Sequence, residues 1–372
     1  MTLLILKNEH LAADEKNARA FCFDFYNSTT SKKYVLGRNI YTDSLLTEVN
    51  LDGIIDDYTT DVEYLGCPIV KLVDIPKDSL VLNVAGGRPL SAKRRLDESN
   101  LRNLDYFTFY RYSGASLPSM RFNEGFKEEF IENINNYEWI YKLLCDEESK
   151  DSFKKLVSFR FDYDIKHLEG FSWREDLQYF EEFLKLQEKG EVFIDVGGFN
   201  GYTSLEFIKR CPNYKSIHVF EPEPSNYQDC LDSLKGRAKI HVHNLGLSNT
   251  KAELKIDVQG SASSVSEYGT VTINVDKLDN VLNDPPSLIK IDIEGEELSA
   301  LEGARQTIYN NHPRLAISVY HKPGDFWRIP DFILSIRNDY EIYMRHYTES
   351  IYETVMFFIP KSNTLAADNV YN

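Results

Sequence analysis

Short apolar runs alternate with amphipathic segments through the second half of this 372-residue sequence, and this alternation limits the fold more than any other feature. The strand-like runs lie at 191–197, 216–222, 238–248, 287–295 and 314–321. The segments with helical periodicity lie at 203–211, 226–236 and 297–311. Strands that alternate with helices form a parallel sheet with helices on both faces. The sequence therefore predicts a doubly wound α/β domain.

The pattern changes after residue 321. YEIYMRHYT (340–348) and ETVMFFIP (353–360) are two strand-like runs with a short turn between them, which predicts an antiparallel hairpin. Residues 251–275 alternate apolar and polar positions and predict a β-rich excursion. A doubly wound parallel sheet that ends in an antiparallel hairpin resembles the seven-stranded class I methyltransferase topology.

The first part of the chain carries a weaker version of the strand pattern. KKYVLG, LDGIIDD, LGCPIVKL and DSLVLNVAGG predict short parallel strands. Residues 32–115 loosely resemble the small Rossmann-like domain that precedes sugar acyltransferases and some glycan-modifying enzymes. Residues 116–190 have helical periodicity. We therefore predict four parts: a Rossmann-like α/β domain at 1–115, a helical connector at 116–190, the main domain at 191–360 and a tail at 361–372.

The composition narrows the classes of partner and the compartment. With 42 Lys and Arg against 58 Asp and Glu, the net charge is −16, which disfavours nucleic acid as a partner. No run approaches the ~18 apolar residues of a membrane span, and the start MTLLILKNEH does not resemble an export signal. The five cysteines are scattered without a CxxC pair, which indicates reduced thiols and a cytoplasmic protein.

The glycine-rich stretch VFIDVGGFNGYTS (192–204) is the first candidate site. It has neither the G-x-G-x-x-G spacing of a dinucleotide site nor the Lys-Ser/Thr of a P-loop. Asp195 stands at the end of the predicted strand, and Glu221 ends the next one, where an acid can accept both ribose hydroxyls. This combination favours S-adenosylmethionine, which has a ribose and no phosphate. An ordinary strand-to-helix turn remains the alternative for Asp195 and Gly197.

The second candidate site is KIDIEGEE (290–297). Lys290, Asp292 and Glu294 are two residues apart, so on a strand they would share a face. Charged residues in an apolar parallel strand are costly unless they are paired or functional, and ligands bind at the carboxyl ends of such strands. A solvated edge is the alternative, although the intervening isoleucines favour burial.

Five segments and their order carry a more specific resemblance. VFIDVGGFNGYTS, VFEPEPSNY, TINVDKLDNVL, LIKIDIEGEELSALEGA and RLAISVYHKPGDF resemble the motifs of FkbM-family methyltransferases. FSWREDLQYF (171–180) is similar to the segment that precedes the family's first strand. The resemblance covers about residues 170–360. It implies an S-adenosylmethionine-dependent enzyme that O-methylates a sugar or a secondary metabolite.

The resemblance also implies the site residues. The cofactor-binding set is Asp195, Gly197, Gly198, Asn200, Gly201, Glu221, Asn244 and Asp292, with Glu221 at the ribose and Asn244 near the adenine. The substrate-binding set is Glu294, Tyr320 and His321. Glu297 belongs to the acidic signature with Asp292 and Glu294, and Ser263 and Ser264 match a serine stretch. Asn200 and Tyr202 depart from the family, in which an acid is frequent beside Gly201.

The catalytic residues are predicted to be His321 and Asp292. A sugar hydroxyl is a poor nucleophile, and His321 has the side chain with the most suitable pKa for a general base. Asp292 could orient His321, act as the base itself, or join a divalent metal ion. Two carboxylates are a thin ligand set, so a metal is not favoured. His241 and His243 form an H-x-H pair without a visible third ligand, and a structural role is favoured over zinc.

The leading functional hypothesis is an O-methyltransferase that acts on a sugar hydroxyl in surface-glycan or polysaccharide biosynthesis. The acceptor is then a small molecule or a glycan and not a nucleic acid. No membrane span is expected, and a homo-oligomer is one possible assembly. A lipid, peptide or polyketide hydroxyl is the alternative acceptor. Two other classes, an NAD-dependent oxidoreductase and a non-catalytic scaffold, also remain open.

Overall fold

The computed structural model describes residues 4–5, 11–257, 264–265 and 269–361. The chain divides into two compact units. The first unit contains 1–132, 151–173 and 347–352, and the second contains 133–150, 174–346 and 353–372. The domain boundaries drawn from the sequence stay a prediction, and most of the predicted tail lies outside the described residues.

The first unit is built on a six-stranded sheet. Its strands are β1 (Lys33–Leu36), β2 (Gly53–Ile55), β3 (Glu63–Tyr64), β4 (Cys67–Val70), β5 (Leu80–Asn83) and β6 (Arg102–Asp105). Their order is β3-β4-β2-β1-β5-β6, and every pairing except the antiparallel β3–β4 is parallel. The strand order reverses at β1, as in Rossmann-like sheets, so the predicted parallel strands are confirmed.

The helices of this unit follow the same alternation. They are α1 (Leu11–Asn27), α2 (Ile40–Glu48), α3 (Pro89–Glu98) and α4 (Tyr106–Ser113), with short 3-10 helices at Leu72–Asp74 and Ile165–Leu168. Strand β1 is apolar because both of its faces are covered, and Tyr34, Val35 and Leu36 are buried. Two longer helices, α5 (Phe126–Leu143) and α6 (Glu147–Asp162), occupy the region with predicted helical periodicity, and each has residues in both units.

The second unit contains a seven-stranded sheet. Its strands, given with those of a smaller sheet in chain order, are β7 (Val192–Val196), β8 (Ser216–Phe220), β9 (Ile240–His243), β10 (Gly246–Leu247), β11 (Ala252–Asp257), β12 (Ser264–Val265), β13 (Val271–Asp276), β14 (Leu288–Ile291), β15 (Arg314–Ser318), β16 (Tyr340–His346) and β17 (Thr354–Pro360). The large sheet has the order β16-β17-β15-β14-β7-β8-β9. Strand β17 pairs antiparallel with β15 and β16, and the other pairs are parallel. The predicted doubly wound sheet with its closing hairpin is confirmed.

The helices of the second unit differ from the sequence prediction in two places. They are α7 (Tyr202–Arg210), α8 (Pro224–Ser233), α9 (Leu278–Val281), α10 (Glu297–Gly303), α11 (Arg305–Asn311) and α12 (Asp325–Ile336), with 3-10 helices at Glu175–Leu177 and Glu182–Leu184. The predicted helix 297–311 is two helices, because Ala304 leaves the helical conformation at φ −106° and ψ 7°. The predicted helix 226–236 begins two residues earlier, because α8 is capped by Glu223, whose carboxylate accepts from the Asn226 amide at 2.7 Å.

The predicted third strand, 238–248, is also divided. Strand β9 ends at His243, and β10 pairs with β13 in the smaller sheet, of order β10-β13-β11-β12. The chain turns at Asn244, whose side-chain amide donates to the carbonyl oxygens of Glu221 and Pro222. The β-rich excursion at 251–275 is confirmed by the antiparallel pair β11–β13. Ser263 lies outside the described residues, and Ser264 is described by its backbone alone.

Three histidines share one face of β8 and β9. His218 pairs in register with His241, and its Nδ1 lies 3.3 Å from Nε2 of His243. His218 was not apparent from the H-x-H motif because it belongs to the neighbouring strand. The rings of His218 and His243 are stacked at 5.6 Å, and that of His243 also stacks on Phe220 at 4.5 Å. These contacts give the histidines a packing role.

The packing of His243 predicts a loss of stability in acid. Burial and the neighbouring histidines lower the pKa of His243 from 6.5 to about 4. Between these pH values the unfolded chain binds a proton that the folded chain does not, so stability decreases as the pH falls from 6.5 to 4 and is unaffected above 6.5. We expect His243→Phe, which keeps an aromatic ring, to flatten this part of a plot of Tm against pH. An unchanged slope in the variant would contradict this assignment.

Candidate active site

A cavity of about 500 Å³ opens at the carboxyl ends of β7, β8 and β14 in the second unit. Its wall includes the glycine loop after β7, the end of β8 and the acidic turn after β14. Residues from the smaller sheet, such as Ile256 and Val275, add an apolar side. Ligands bind at this edge of open α/β sheets, so the cavity is the candidate active site.

The glycine loop passes between two neighbouring segments with no room for side chains. Gly197 has φ 83°, and a Cβ there would lie 1.9 Å from the carbonyl oxygen of Asp292. A Cβ on Gly198 would lie 2.2 Å from Cγ1 of Val219. The side chain of Asn200 accepts a hydrogen bond from the Tyr202 amide at 3.1 Å. The glycines therefore let backbone form the cavity wall.

Glu221 is held in the wall by backbone donors. Its Oε2 accepts from the Phe199 amide at 2.8 Å, and its Oε1 accepts from the Glu223 amide at 3.0 Å. Burial raises the pKa of Glu221 to about 6. Each carboxylate oxygen has a second lone pair, so the group can still accept hydrogen bonds from a ligand.

Asp195 supports the glycine loop from below. Its side chain is fully buried, and Oδ2 accepts from the Ser204 hydroxyl at 2.7 Å. Its Oδ1 lies 3.2 Å from Nζ of Lys290, and that ammonium donates to the carbonyl oxygen of Gly197 at 2.6 Å. Burial acts to lower the pKa of Lys290, but the carboxylates of Asp195 and Asp292 raise it overall, so the ammonium stays charged.

The acidic turn begins earlier than the sequence predicted. Strand β14 ends at Ile291, and the chain turns through Glu294 at φ 56° and Gly295 at φ 102°. Asp292 and Glu294 are therefore not alternating strand residues that share a face with Lys290. They lie in the turn that leads into α10, and both carboxylates line the cavity.

His321 lies among carboxylates behind the acidic turn. Its Nδ1 is 2.9 Å from Oε1 of Glu297, and its Nε2 is 3.6 Å from Oδ1 of Asp292 and 3.8 Å from Oε1 of Glu294. Burial acts to lower the pKa of His321, but these carboxylates raise it to about 9. The imidazole is therefore protonated at neutral pH. It is suited to holding the carboxylates in place, and a protonated imidazole cannot accept a further proton.

Three residues that line this cavity were absent from the sequence prediction. The hydroxyl of Tyr179 donates to Oδ2 of Asp292 at 2.5 Å. The amide of Gln178 donates to the Tyr179 hydroxyl at 2.9 Å and also to Oε2 of Glu353. Gln178 and Tyr179 belong to FSWREDLQYF, which the family resemblance had singled out, whereas no sequence signal pointed to Glu353.

The structure brings most of the predicted site residues together. Those that line the cavity are Gly197, Gly198, Asn200, Glu221, Asp292, Glu294 and Tyr320. The predicted site residues that do not line it are Asp195, Gly201, His321 and Asn244. The ring of His321 packs against Tyr320 with centroids 3.9 Å apart, so it acts from behind the wall. Asn244 is exposed at the turn after β9.

One group of side chains has the composition of a metal site. Asp292, Glu297 and His321 each offer a donor atom, and these atoms lie within 4.8 Å of one another. The Nδ1 of His321 is already paired with Glu297, which favours an ion pair over coordination. That no metal is used stays a prediction.

The comparisons with known proteins agree with this geometry. Residues 195–348 match the family model described as the methyltransferase FkbM domain. Methyltransferase FkbM from Methylobacillus flagellatus KT is similar in fold, with a TM-score of 0.74 and 24% identity over 94% of this chain and 96% of that one. No curated protein matches the sequence. Among the described residues, no helix is long and apolar enough to cross a membrane.

Two further solved structures cover about half of this chain. An rRNA methylase from Streptococcus thermophilus matches 48% of this chain and 93% of its own, with 13% identity and a TM-score of 0.34. Precorrin-6y C5,15-methyltransferase from Geobacter metallireducens GS-15 matches 52% of this chain and 95% of its own, with 15% identity and a TM-score of 0.32. The family model spans the glycine loop, β8, the acidic turn and β15, so the part of the chain that forms this cavity is similar to the methyltransferase FkbM domain.

Proposed function

We propose that this methyltransferase uses S-adenosylmethionine to O-methylate a sugar hydroxyl in surface-glycan or polysaccharide biosynthesis. The main support for this cofactor is the position of the Glu221 carboxylate. Two backbone amides fix it on the cavity wall beside a loop of glycines. A ribose has two adjacent hydroxyls, and a carboxylate held in this way can accept a hydrogen bond from each.

The charge of the cavity supports a sulfonium over a dinucleotide. Eight of the described lining residues are carboxylates: Glu175, Glu206, Glu221, Glu223, Asp292, Glu294, Glu296 and Glu353. Lys290 is the single cation among the described lining residues. Its ammonium is paired with Asp195 and donates a hydrogen bond to the carbonyl oxygen of Gly197. A pyrophosphate would meet repulsion here, whereas a sulfonium with an ammonium group would be attracted.

The remaining predicted cofactor residues support the cavity wall in this proposal. Gly197, Gly198 and Gly201 let the backbone approach the cofactor, and Asn200 holds the end of the loop beside Tyr202. Asp195 acts through Lys290. Asn244 fixes the backbone after Glu221 on the side where we propose that the adenine lies.

The acidic turn supplies the acceptor side. Methyl transfer is an in-line displacement, so the main task is to hold one hydroxyl oxygen close to the methyl carbon. Asp292 faces the cavity with its carboxylate fixed by Tyr179 and His321, and we propose that it binds the reacting hydroxyl. Glu294 and Tyr320 bind the neighbouring hydroxyls. His321 contributes as an imidazolium that holds the carboxylates of Asp292 and Glu294 in place.

The acidic lining also supports an acceptor without negative charge. Neutral hydroxyls can donate to these carboxylates, whereas an anionic group next to the reacting hydroxyl would be repelled. This supports a neutral sugar unit, and a lipid, peptide or polyketide hydroxyl remains the alternative.

All five cysteines are free thiols, which supports the cytoplasm as the compartment.

Calorimetry and a labelled-methyl assay test this function. We expect the full chain to bind S-adenosylhomocysteine with micromolar affinity and not to bind NAD. With tritium-labelled S-adenosylmethionine, we expect label in methyl glycosides, nucleotide sugars or surface polysaccharide, and not in hydroxylated lipids or peptides. Binding of NAD alone would contradict the cofactor, and label in lipids or peptides alone would contradict the acceptor class.

A further inference from the structure

We propose that Glu353 is the catalytic base, the group that takes the proton from the acceptor hydroxyl. This inference rests on the proposed O-methyl transfer and adds a residue that the sequence did not indicate. Glu353 precedes β17, lines the cavity, and belongs to the same compact unit as the acidic turn.

The backbone places Glu353 at the wall. The next residue, Thr354, accepts a hydrogen bond from the Val319 amide at 3.0 Å, so the start of β17 is fixed against the end of β15. Glu353 itself has φ 63°, a left-handed conformation that is unfavourable for a residue with a Cβ. Such conformations occur where the surrounding structure holds a side chain in a required position.

Hydrogen-bond donors orient the carboxylate of Glu353, but its oxygens can accept further hydrogen bonds. The Gln178 amide donates to Oε2, and the Tyr320 hydroxyl lies 3.4 Å from Oε1. Neither donor carries a charge, and each oxygen has a lone pair left. Burial and the nearby charge of Asp292 raise the pKa of Glu353 to about 7, although Gln178 and His321 act in the opposite direction. The group can therefore exchange a proton at neutral pH, which is what a general base requires.

Asp292 has a different environment from Glu353. Its Oδ2 accepts a hydrogen bond from Tyr179, and its Oδ1 faces the imidazolium of His321. Both contacts engage oxygens of the Asp292 carboxylate and hold it in one orientation. Glu294 also faces His321. Two carboxylates in different surroundings commonly divide two tasks, so Asp292 binds the hydroxyl while Glu353 removes its proton.

The proposed methyl transfer needs no reactant other than S-adenosylmethionine and the acceptor hydroxyl. The acceptor oxygen forms a bond to the methyl carbon while the carbon–sulfur bond breaks, and the bonding pair stays on sulfur to give neutral S-adenosylhomocysteine. The hydroxyl proton moves to a carboxylate oxygen of Glu353. The carboxylic acid then releases this proton to solvent through the open cavity.

The test is the pH profile of kcat with the sugar acceptor that incorporates label in the assay above. We expect kcat of the wild-type chain to rise with pH and to level off above about 7. Glu353→Gln should lower kcat about 100- to 10,000-fold and remove this rise, with unchanged affinity for S-adenosylhomocysteine. Gln178→Leu removes a donor to the ionised carboxylate, so it should move the rise to higher pH. Glu302→Gln, an exposed carboxylate, is the control and should match the wild type.

The possible failures are distinguishable. If Glu353→Gln keeps both kcat and the rise, or if it loses S-adenosylhomocysteine binding together with activity, Glu353 is not the base. If Glu353→Gln does not fold, the shift expected in Gln178→Leu decides, and an unmoved profile overturns the assignment. A wild-type chain that binds no S-adenosylhomocysteine and labels no acceptor would instead overturn the proposed function itself.

Discussion

Glu221→Ala is expected to weaken S-adenosylhomocysteine binding by roughly 100-fold or more. A hydrogen bond to a charged group contributes about 1.5–3 kcal/mol, and the variant loses two of them to the ribose. It also frees the amides of Phe199 and Glu223, so the glycine loop loses the acceptor that holds it in the wall. Since each 1.4 kcal/mol is a factor of ten, the two ribose bonds alone account for this weakening.

The control and a pH series sharpen this test. Glu188→Ala removes an exposed carboxylate of the same unit and should leave the Kd unchanged. In the wild type, affinity should decrease as the pH falls through about 6, because the Glu221 carboxylate then binds a proton. Retention of affinity within a few fold in Glu221→Ala would show that the ribose binds elsewhere.

Gly197→Ala is expected to lower the free energy of unfolding by about 2–5 kcal/mol and to abolish cofactor binding. The left-handed conformation costs a residue with a Cβ about 1–2 kcal/mol. The new methyl group would lie 1.9 Å from the carbonyl oxygen of Asp292, and relieving such an overlap typically costs about 1–3 kcal/mol. Any relief moves β7 away from the acidic turn, so both sides of the cavity are displaced.

Gly190→Ala is the matched control for this substitution. Gly190 also has a left-handed backbone, at φ 91°, but a Cβ there would meet nothing within 4 Å. We expect Gly190→Ala to show the conformational cost alone and to bind S-adenosylhomocysteine normally. Thermal unfolding should then place Gly197→Ala roughly 5–15 °C below the wild type. Equal effects of the two substitutions would mean that the contact with Asp292 is not limiting.

Much of the cofactor side was predictable because it depends on short segments of sequence. The glycine loop and Glu221 each follow a strand that can be recognised from its own apolar run. In a parallel sheet the ends of neighbouring strands meet at one edge, so recognising the strands was enough to bring the loop and Glu221 together. The alternation of strands with helices and the closing hairpin followed from the same periodicity, and the structure confirms both.

The acceptor side was less predictable because it depends on contacts between distant parts of the chain. The turn that follows β14 and begins at Asp292 is stabilised by Glu297, which accepts from the Ile293 amide at 2.9 Å and is paired with His321. That pairing also raises the pKa of the imidazole, and for this reason we propose His321 as a positioning residue instead of the base that the sequence predicts. A pKa depends on burial and on neighbouring charges, and neither can be obtained from the spacing of one motif.

By itself, the sequence determined the doubly wound sheet, the resemblance to FkbM methyltransferases and the position of the glycine loop, because strand periodicity and turn glycines are local properties. The tertiary structure alone decided which carboxylates share the cavity. Gln178 and Tyr179 come from the segment before β7, His321 follows β15, and Glu353 precedes β17. These side chains interact only after the sheet has brought their segments together, so the protonation states of His321 and Glu353 are properties of the fold.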